Sequence, residues 1–429
     1  MPGTGSRRGR TDDVGAAGAA LSGAGPAGTL PGVGAELSAA VRAEARWAHD
    51  WMLAAAFPLW AERGLDRVGG GFFEKLDLET ARDAGDTRRL RVQTRQIFAF
   101  GEADRLGFAG GREVIAHGLA FLDRRARLGA GHYAILFDAD GGVRDDLFDL
   151  YETAFVLLAL AQAYRITGDA AVRDEALRLL GLVEARLAHP AGGFRESVPA
   201  RRAVRRQNPH MHLFEAAMAW MACDGAAAGA SPFADLAVRL HHLFETRLFD
   251  SAAGVLPEFF DDELRRIEGP EGLVTEPGHH FEWVWLLGRY AVLTGTDSAA
   301  IAPLYAFAER HGISAPNGTA VDEVWADGTV KSAGSRFWPQ TERLKAAVTM
   351  AERAPSEATA DAVVEAARRM RPFIEASPTA GLWCEPLSAD GVLSRAPTPA
   401  STFYHIVLAY AELCRFAGVP QGGPLPRSL

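Results

Sequence analysis

Cysteine is nearly absent from this chain: Cys223, Cys384 and Cys414 are odd in number, widely separated, and form no CxxC pair. That excludes a disulfide scaffold and a thiolate zinc site, and leaves free buried thiols in a reducing, cytoplasmic setting as the expectation. No apolar run approaches the roughly 20 residues needed to cross a bilayer, so no membrane partner is expected. Positive charge is in deficit, with 45 Lys and Arg against 54 Asp and Glu and a formal net charge of −9. A nucleic-acid partner would require a basic footprint instead. The one dense cationic run, Arg201-Arg202-Ala203-Val204-Arg205-Arg206, reads as a solvated strand or loop edge, with Arg205 and Arg206 as its candidates for holding an anion. An HExxH motif, a glycine-rich phosphate loop and a Rossmann fingerprint are all missing, so neither a metal nor a nucleotide cofactor is expected.

What the chain does have is a period. Glycine followed by a short β-prone run recurs at Gly71-Phe72-Phe73-Glu74, Gly131-His132-Tyr133, Gly193-Phe194-Arg195-Glu196, Gly254-Val255-Leu256, Gly318-Thr319-Ala320-Val321 and Gly381-Leu382-Trp383, spaced by 60 to 64 residues. Repetition on that scale signals stacked supersecondary units. Each interval holds two amphipathic helical patterns. The pattern predicts helices over 36–64, 90–106, 112–126, 149–166, 171–187, 208–224, 232–248, 279–295, 298–313, 336–352, 357–373 and 400–417, separated by breakers such as Gly110-Gly111, Pro190 and Pro397-Thr398-Pro399. Twelve helices in six hairpins describe an all-α (α/α)6 barrel with short β-hairpin connections on one side, an open α-solenoid being the alternative. The even-numbered helices, each following a long loop, are expected to form the inner ring. The barrel is expected over 36–418, between a Gly/Ala/Ser-rich disordered leader over 1–35 and a loose Pro/Gly-rich tail over 419–429. Arg7 and Arg8 are not followed by an apolar stretch, so the leader does not read as an export signal.

Polar and aromatic residues out of place on apolar helices fall on the even-numbered set. Arg95 is on the second helix and Tyr151 opens the fourth. On the sixth, Asn208, His212 and Glu215 are spaced i, i+4, i+7 and share a face, while His210 points elsewhere. His279 and Glu282 sit at i, i+3 on the eighth, Trp338 and Glu342 on the tenth, and His405 on the twelfth. Singly, each has an ordinary structural reading as a core histidine, a first-turn carboxylate or a packed aromatic. Jointly, six successive inner helices offer polar or aromatic groups to one axis, the signature of an active site in a concave pocket. Histidine suits general acid–base chemistry near neutrality, whereas Glu215, Glu282 and Glu342 keep a two-carboxylate glycosidase open.

At these residues the chain resembles the N-acylglucosamine 2-epimerase superfamily, which includes mannose isomerase, cellobiose 2-epimerase and sulfoquinovose isomerase. The resemblance spans about residues 40 to 415 and rests on N-x-x-M-H-x-x-E-A from Asn208, G-H-x-x-E-W from Gly278, W-x-Q-x-E from Trp338, and Tyr404-His405. It implies an (α/α)6 barrel and proton transfer at C1/C2 of an aldose through a cis-enediolate, with His279 and His405 as the acid/base pair. It further implies Arg95 on a substrate oxygen, Asn208, His212 and Glu282 as supporting polar groups, and Tyr151 and Trp338 as an aromatic wall, with Glu215 and Glu342 added as substrate contacts. His280 stands where the family carries a variable residue, often Gly, which predicts an altered pocket rim. The favoured reaction is isomerisation of mannose to fructose by an enzyme without a metal. A 2-epimerase of free, N-acylated or disaccharide sugars comes second, and a glycoside hydrolase or a sugar-binding protein is more remote. Homo-oligomerisation and the presence of a phosphate or sulfonate on the sugar are left open. The absence of metal-ligand motifs predicts that dialysis against a strong chelator leaves turnover intact; loss of activity restored by one divalent ion would contradict it.

Overall fold

The computed structural model describes residues 30, 32–225, 227 and 229–419. The leader and tail expected from composition lie, except for their inner ends, outside the described residues. Twelve helices follow in order. They are α1 over 35–63, α2 at Leu90–Arg105, α3 over 111–126, α4 at Leu150–Thr167, α5 at Ala170–Leu187 and α6 at Gln207–Asp224. Then come α7 over 232–248, α8 at Pro277–Thr294, α9 at Ile301–His311, α10 at Trp338–Arg353, α11 at Glu357–Glu375 and α12 at Phe403–Phe416. Every boundary lies within three residues of its sequence-based position. The largest departures have local causes. The Ser298 hydroxyl bonds Glu245 and accepts from the Ala300 N–H, delaying α9, and Ala400–Thr402 forms a 3-10 turn ahead of α12. Three outer helices, α1, α3 and α7, also contain or end in a π turn, at Met52–Ala56, Leu122–Ala126 and Phe244–Leu248, which no sequence pattern announced.

The even helices form a closed inner ring, each packing on the next and α12 returning to α2, while the odd helices surround them. Burial follows from this placement. On α11 the buried positions 360, 363, 364, 366, 367, 370, 373 and 374 fall within one half of the helix at a 3.6-residue period, as an outer helix requires. The inner helices are buried nearly all round, which is why they read as apolar with isolated polar exceptions.

All long connections emerge at the N-terminal ends of the inner helices, and they stitch that end shut as a ring. Thr87–Arg89 pairs with Leu136–Asp138, Phe148–Asp149 with Ser197–Val198, Arg205–Arg206 with Phe259–Phe260, and Val274–Thr275 with Glu323–Trp325. Ser335 bridges Leu387, and Lys75–Leu76 pairs with Thr398–Pro399 to complete the circle. The first five periodic glycine runs form single-bridge turns such as Ala188 with Phe194, and the strands proper lie where neighbouring loops meet. Four of the six turns are clamped to their inner helices. Gln93 exchanges two hydrogen bonds with the Phe72 backbone and Gln340 two with Ala320, while the rings of His210 and His280 accept from the N–H groups of Phe194 and Leu256.

The opposite end of the barrel is plugged by ion pairs. Glu102 meets Arg105 and Arg165 at 2.6 Å, and Glu412 meets Arg415 at 2.8 Å and Arg289 at 3.5 Å. Burial opposes ionisation of Glu102, but the two arginines outweigh it and hold the carboxyl down at about 2. Arginines at helix C-termini also complement the helix dipoles. Among the described residues no helix is long and apolar enough to cross a membrane.

Gly193 illustrates why the repeat begins with glycine. Its φ is +62°, and a Cβ there would lie 2.7 Å from His210 Nε2 and 2.9 Å from Leu243 Cδ2. Gly193→Ala is expected to cost about 1–3 kcal/mol, read as a lowered thermal midpoint; an unchanged midpoint would show the turn to be adaptable.

Candidate active site

A cavity of about 520 Å³ opens where the first turns of the six inner helices converge. Its walls carry Arg95 from α2, Tyr151 from α4, Asn208 and His212 from α6, His279 and Glu282 from α8, Trp338 from α10 and His405 from α12. A larger groove of about 740 Å³ lies outside the barrel between α5 and α7. Its exposed Arg239 pairs with the half-buried Glu184, whereas the axial cavity gathers buried titratable groups and is the candidate site. Five of the six inner helices, α4 excepted, have no side-chain cap at this end, so their N-terminal partial charges are directed at the cavity. Trp338 is half-buried, its ring centroid 5.1 Å from that of His279 and 5.8 Å from that of His405. Glycine at 278 makes room for it, since a Cβ there would lie 2.5 Å from Trp338 Cη2.

His279 is held by a chain of buried partners. Trp283 Nε1 donates to Gln207 Oε1 at 2.8 Å, Gln207 Nε2 donates to Glu258 Oε2 at 3.0 Å, and His279 Nδ1 donates to Glu258 Oε1 at 3.0 Å. Burial disfavours a charged imidazole, but Glu258 and Glu276 outweigh it and push its pKa up to about 9. The Asn208 amide stands 2.9 Å from His279 Nε2. Its nitrogen suits the neutral ring, and its oxygen, which is buried and has no other partner, suits the charged ring. One side chain can therefore serve both protonation states by turning over.

His405 has the opposite setting. Its Nδ1 donates to Glu342 Oε1 at 2.9 Å, which leaves the lone pair on Nε2. Burial first, then the positive charges of Arg95 and Lys345, hold it well below the usual histidine range. His212 Nδ1 donates likewise to Glu215 Oε2 at 3.0 Å, Tyr404 donates to the other oxygen of Glu215, and burial takes His212 down to about 4. Arg95 donates from Nη2 to the Tyr151 hydroxyl at 2.9 Å and from Nη1 to the Ser401 carbonyl at 3.2 Å, with its guanidinium 4.3 Å from the centre of the Phe155 ring. Among the described residues its buried Nε has no hydrogen-bond partner, and neither has Glu282 Oε1, which lies 3.9 Å from His212 Nδ1. Two histidines, one held neutral and the other held charged, therefore flank one aromatic floor, with an arginine close by: the equipment for moving protons on a small polar molecule.

Comparison with known proteins shows the family. The model of the N-acylglucosamine 2-epimerase family matches residues 71–409. The chain belongs to the N-acylglucosamine 2-epimerase family. Membership makes it a sugar isomerase or epimerase. It is similar to a protein named mannose-6-phosphate isomerase from Rhizobium meliloti (strain 1021), 39% identical over 371 residues that cover 85% of this chain and 95% of the relative. Among solved structures, cellobiose 2-epimerase from Bacillus thermoamylovorans B4167 superposes with a TM-score of 0.77 at 19% identity, covering 87% of this chain and 100% of that one. A D-mannose isomerase superposes with a TM-score of 0.75 at 21% identity, over 87% and 97%. These likenesses establish the (α/α)6 barrel.

The geometry corrects several sequence-based assignments. Glu215 and Glu342 do not line the cavity; both are fully buried beneath it and act on His212 and His405 from behind. His280 does not alter the rim, because its ring faces the Leu256 turn and burial takes it down to about 4. Arg205 is no anion site: its guanidinium donates to the carbonyls of Gly192, Phe194 and Asp262. Arg206 is paired with Glu196, and neither arginine reaches the cavity. The expectation that ligand clusters are missing also fails as a premise. Three sets, His212/Glu215/Glu282, Glu258/Glu276/His279 and Glu282/Glu342/His405, bring donor atoms within 4.8 Å of one another. In each, a histidine–carboxylate hydrogen bond already accounts for most of that proximity.

Sequence reasoning missed Gln207, Glu258, Glu276 and Lys345 around the histidines, and Arg89, Arg336 and Glu385 on the walls. A signal for some of them existed. An acid follows the periodic glycine by three or four residues at Glu74, Glu196, Glu258, Asp322 and Glu385. Each binds at the mouth of an inner helix: Glu74 to Arg89, Glu196 to Arg206, Glu258 to His279, Asp322 to Arg336, and Glu385 to Thr402. The His279 environment generates a prediction independent of any reaction. Its imidazole should titrate near pH 9 by NMR, and Glu258→Gln should move that titration to lower pH; an unmoved value would mean that Glu258 is not the controlling charge.

Proposed function

We propose that this chain interconverts free mannose and fructose through a cis-enediolate, with His405 and His279 as complementary proton carriers. The observation that carries the reading is the charge difference between two histidines on either side of Trp338, one held neutral and the other held charged. Isomerisation needs both at once. Uncharged His405 takes the proton from C2 of the open-chain aldose and returns it to C1. Charged His279 gives its proton to O1 and recovers one from O2, so a hydrogen moves from C2 to C1 and another from O2 to O1. Arg95 faces the negative charge that develops on the enediolate oxygens, with the inner-helix N-termini behind it. Tyr151 and Trp338 offer aromatic faces on which a sugar can stack, and Asn208, His212 and Glu282 supply hydrogen bonds to its hydroxyls.

Charge on the walls supports the free sugar. The relative named for mannose 6-phosphate shares the mannose skeleton, but apart from Arg95 the arginines on these cavity walls are committed to carboxylates. Arg89 is paired with Glu74 and Arg336 with Glu276 and Asp322, and the carboxyls of Glu276 and Glu385 line the same space. A dianionic phosphate would have to displace one of those pairs. The 2-epimerase alternative uses the same groups, with the proton returned to the opposite face of C2.

Proton NMR in deuterated water separates these outcomes. Mannose should yield fructose, with deuterium at C1 to the extent that the proton held on His405 exchanges with solvent; glucose formed without ketose would establish the epimerase, and a kcat/KM for mannose 6-phosphate above that for mannose would overturn the free-sugar assignment. His279→Ala and His405→Ala should each lower turnover by at least about a hundredfold while the protein stays folded. A fully active, folded His405→Ala enzyme would remove the two-histidine scheme. Arg95→Lys should depress kcat by about tenfold or more, since an ammonium cannot reproduce the paired guanidinium donors; unaltered kinetics would make Arg95 structural.

A further inference from the structure

Beneath the cavity floor lies a charged residue that the scheme above does not use. Lys345 is completely buried, one turn below Glu342 on α10. Its Nζ is 2.6 Å from Glu342 Oε2 and 3.9 Å from the centre of the Trp285 ring. The remaining oxygen of Glu342 receives His405 Nδ1 at 2.9 Å and the Thr341 hydroxyl at 3.2 Å. A lysine with no exposure to water is costly to keep charged, and a sugar in the cavity has no access to it. Its placement makes sense as the far end of a line that runs Lys345, Glu342, His405, cavity.

We propose that Lys345 is a positioning residue that keeps Glu342 ionised and thereby fixes the tautomer of His405. The argument is one of proton placement. An ionised Glu342 can only accept, so His405 must carry its proton on Nδ1 and present the Nε2 lone pair to substrate. A neutral Glu342 can donate instead. Its O–H would then bond Nδ1, the ring proton would move to Nε2, and His405 would lose its basic nitrogen without any change of position. Loss of a histidine's correct tautomer is a known way to disable an intact-looking site. Burial pushes Glu342 toward the neutral form, and Lys345 is the largest force opposing that push. The other charged and titratable groups that face this pair are Glu282 from α8, Glu215 and His212 from α6, Tyr404 from α12 and Arg95 from α2. Glu215 and Glu282 also lean on the same ammonium, so without Lys345 three carboxylates would share a buried space with no lysine among them.

The catalytic part of this inference rests on the isomerase reading; the tautomer part does not. The test uses the full chain labelled with 15N-histidine, with His405 assigned by comparison with His405→Gln. Lys345→Met keeps the length of the stem and removes the charge. In the folded variant at neutral pH, His405 should switch from the Nδ1–H to the Nε2–H form, and kcat on mannose should fall at least about tenfold with KM little changed. Glu342 already titrates above the usual carboxylate range through burial, and loss of Lys345 should raise it further, so raising the pH should ionise that carboxyl, restore Nδ1–H and recover kcat at a higher pH than in the wild type. Lys345→Met/Glu342→Gln removes both charges and gives Nδ1–H an amide oxygen, so it should return the tautomer and bring kcat to within a few-fold of wild type at all these pH values. This double variant also decides the matter where Lys345→Met alone does not fold. A folded Lys345→Met protein with His405 still in the Nδ1–H form would overturn the proposal, as would a double variant that has the right tautomer and no activity while the wild type turns over. If the wild type does not act on mannose, the tautomer measurements still stand or fall by themselves.

Discussion

The inner helices of this barrel are buried on every side, and that single constraint organises the rest. A polar side chain on such a helix has no water to turn to, so it must find a partner inside the ring or be left unsatisfied at considerable cost. Most find one. Gln93, His210, His280 and Gln340 spend their hydrogen bonds on the turn of the preceding loop, which fixes the loop to the barrel. Glu215, Glu258 and Glu342 spend theirs on histidines. Several of the groups that remain unpaired, Arg95 Nε, Asn208 Oδ1 and Glu282 Oε1, belong to residues that line the axial cavity. A polar ligand there would meet groups that the protein itself leaves unfinished.

The same constraint makes three cavity histidines chemically different. Each donates Nδ1–H to a buried carboxylate, yet only His279 ends up charged. Its carboxylate, Glu258, is bonded to a neutral glutamine and has Glu276 close by, so negative charge accumulates around the ring. Glu342 has Lys345 against it, and Arg95 acts on His405 from another helix, so that ring sits in a positive field as well as a buried one. His212 shares Glu215 with Tyr404. Identical first partners therefore give opposite results, and the next layer of charge decides between them.

Much of the architecture was legible beforehand because it is a repeated local pattern. A glycine every 60 to 64 residues, a β-prone run after it and two helical periods between glycines are properties of short segments, and closure of six such units is the arrangement that leaves no end uncovered. The residues that line the cavity were legible for a related reason. Arg95, Asn208, His212, His279, Glu282 and His405 interrupt otherwise apolar helices in their first two turns, and helical spacing alone fixes which face each one shares. Glu215 and Glu342 share those faces too, but a turn of depth separates a wall residue from a buried one, and periodicity carries no depth.

Sequence by itself determined the helices, their alternation between inner and outer rings, the end of the barrel at which function collects, and the family to which the chain belongs. Tertiary structure decided everything that depends on distance across the ring: that Glu258 from a loop reaches His279, that Lys345 stands behind Glu342, that Arg205 is consumed by backbone carbonyls, and that Arg336 lies on the wall. The physical reason is that helix formation and burial follow from neighbours within a few residues along the chain. Protonation follows from charges a few ångströms away, contributed by elements 20 to 300 residues apart that only closure of the barrel brings together.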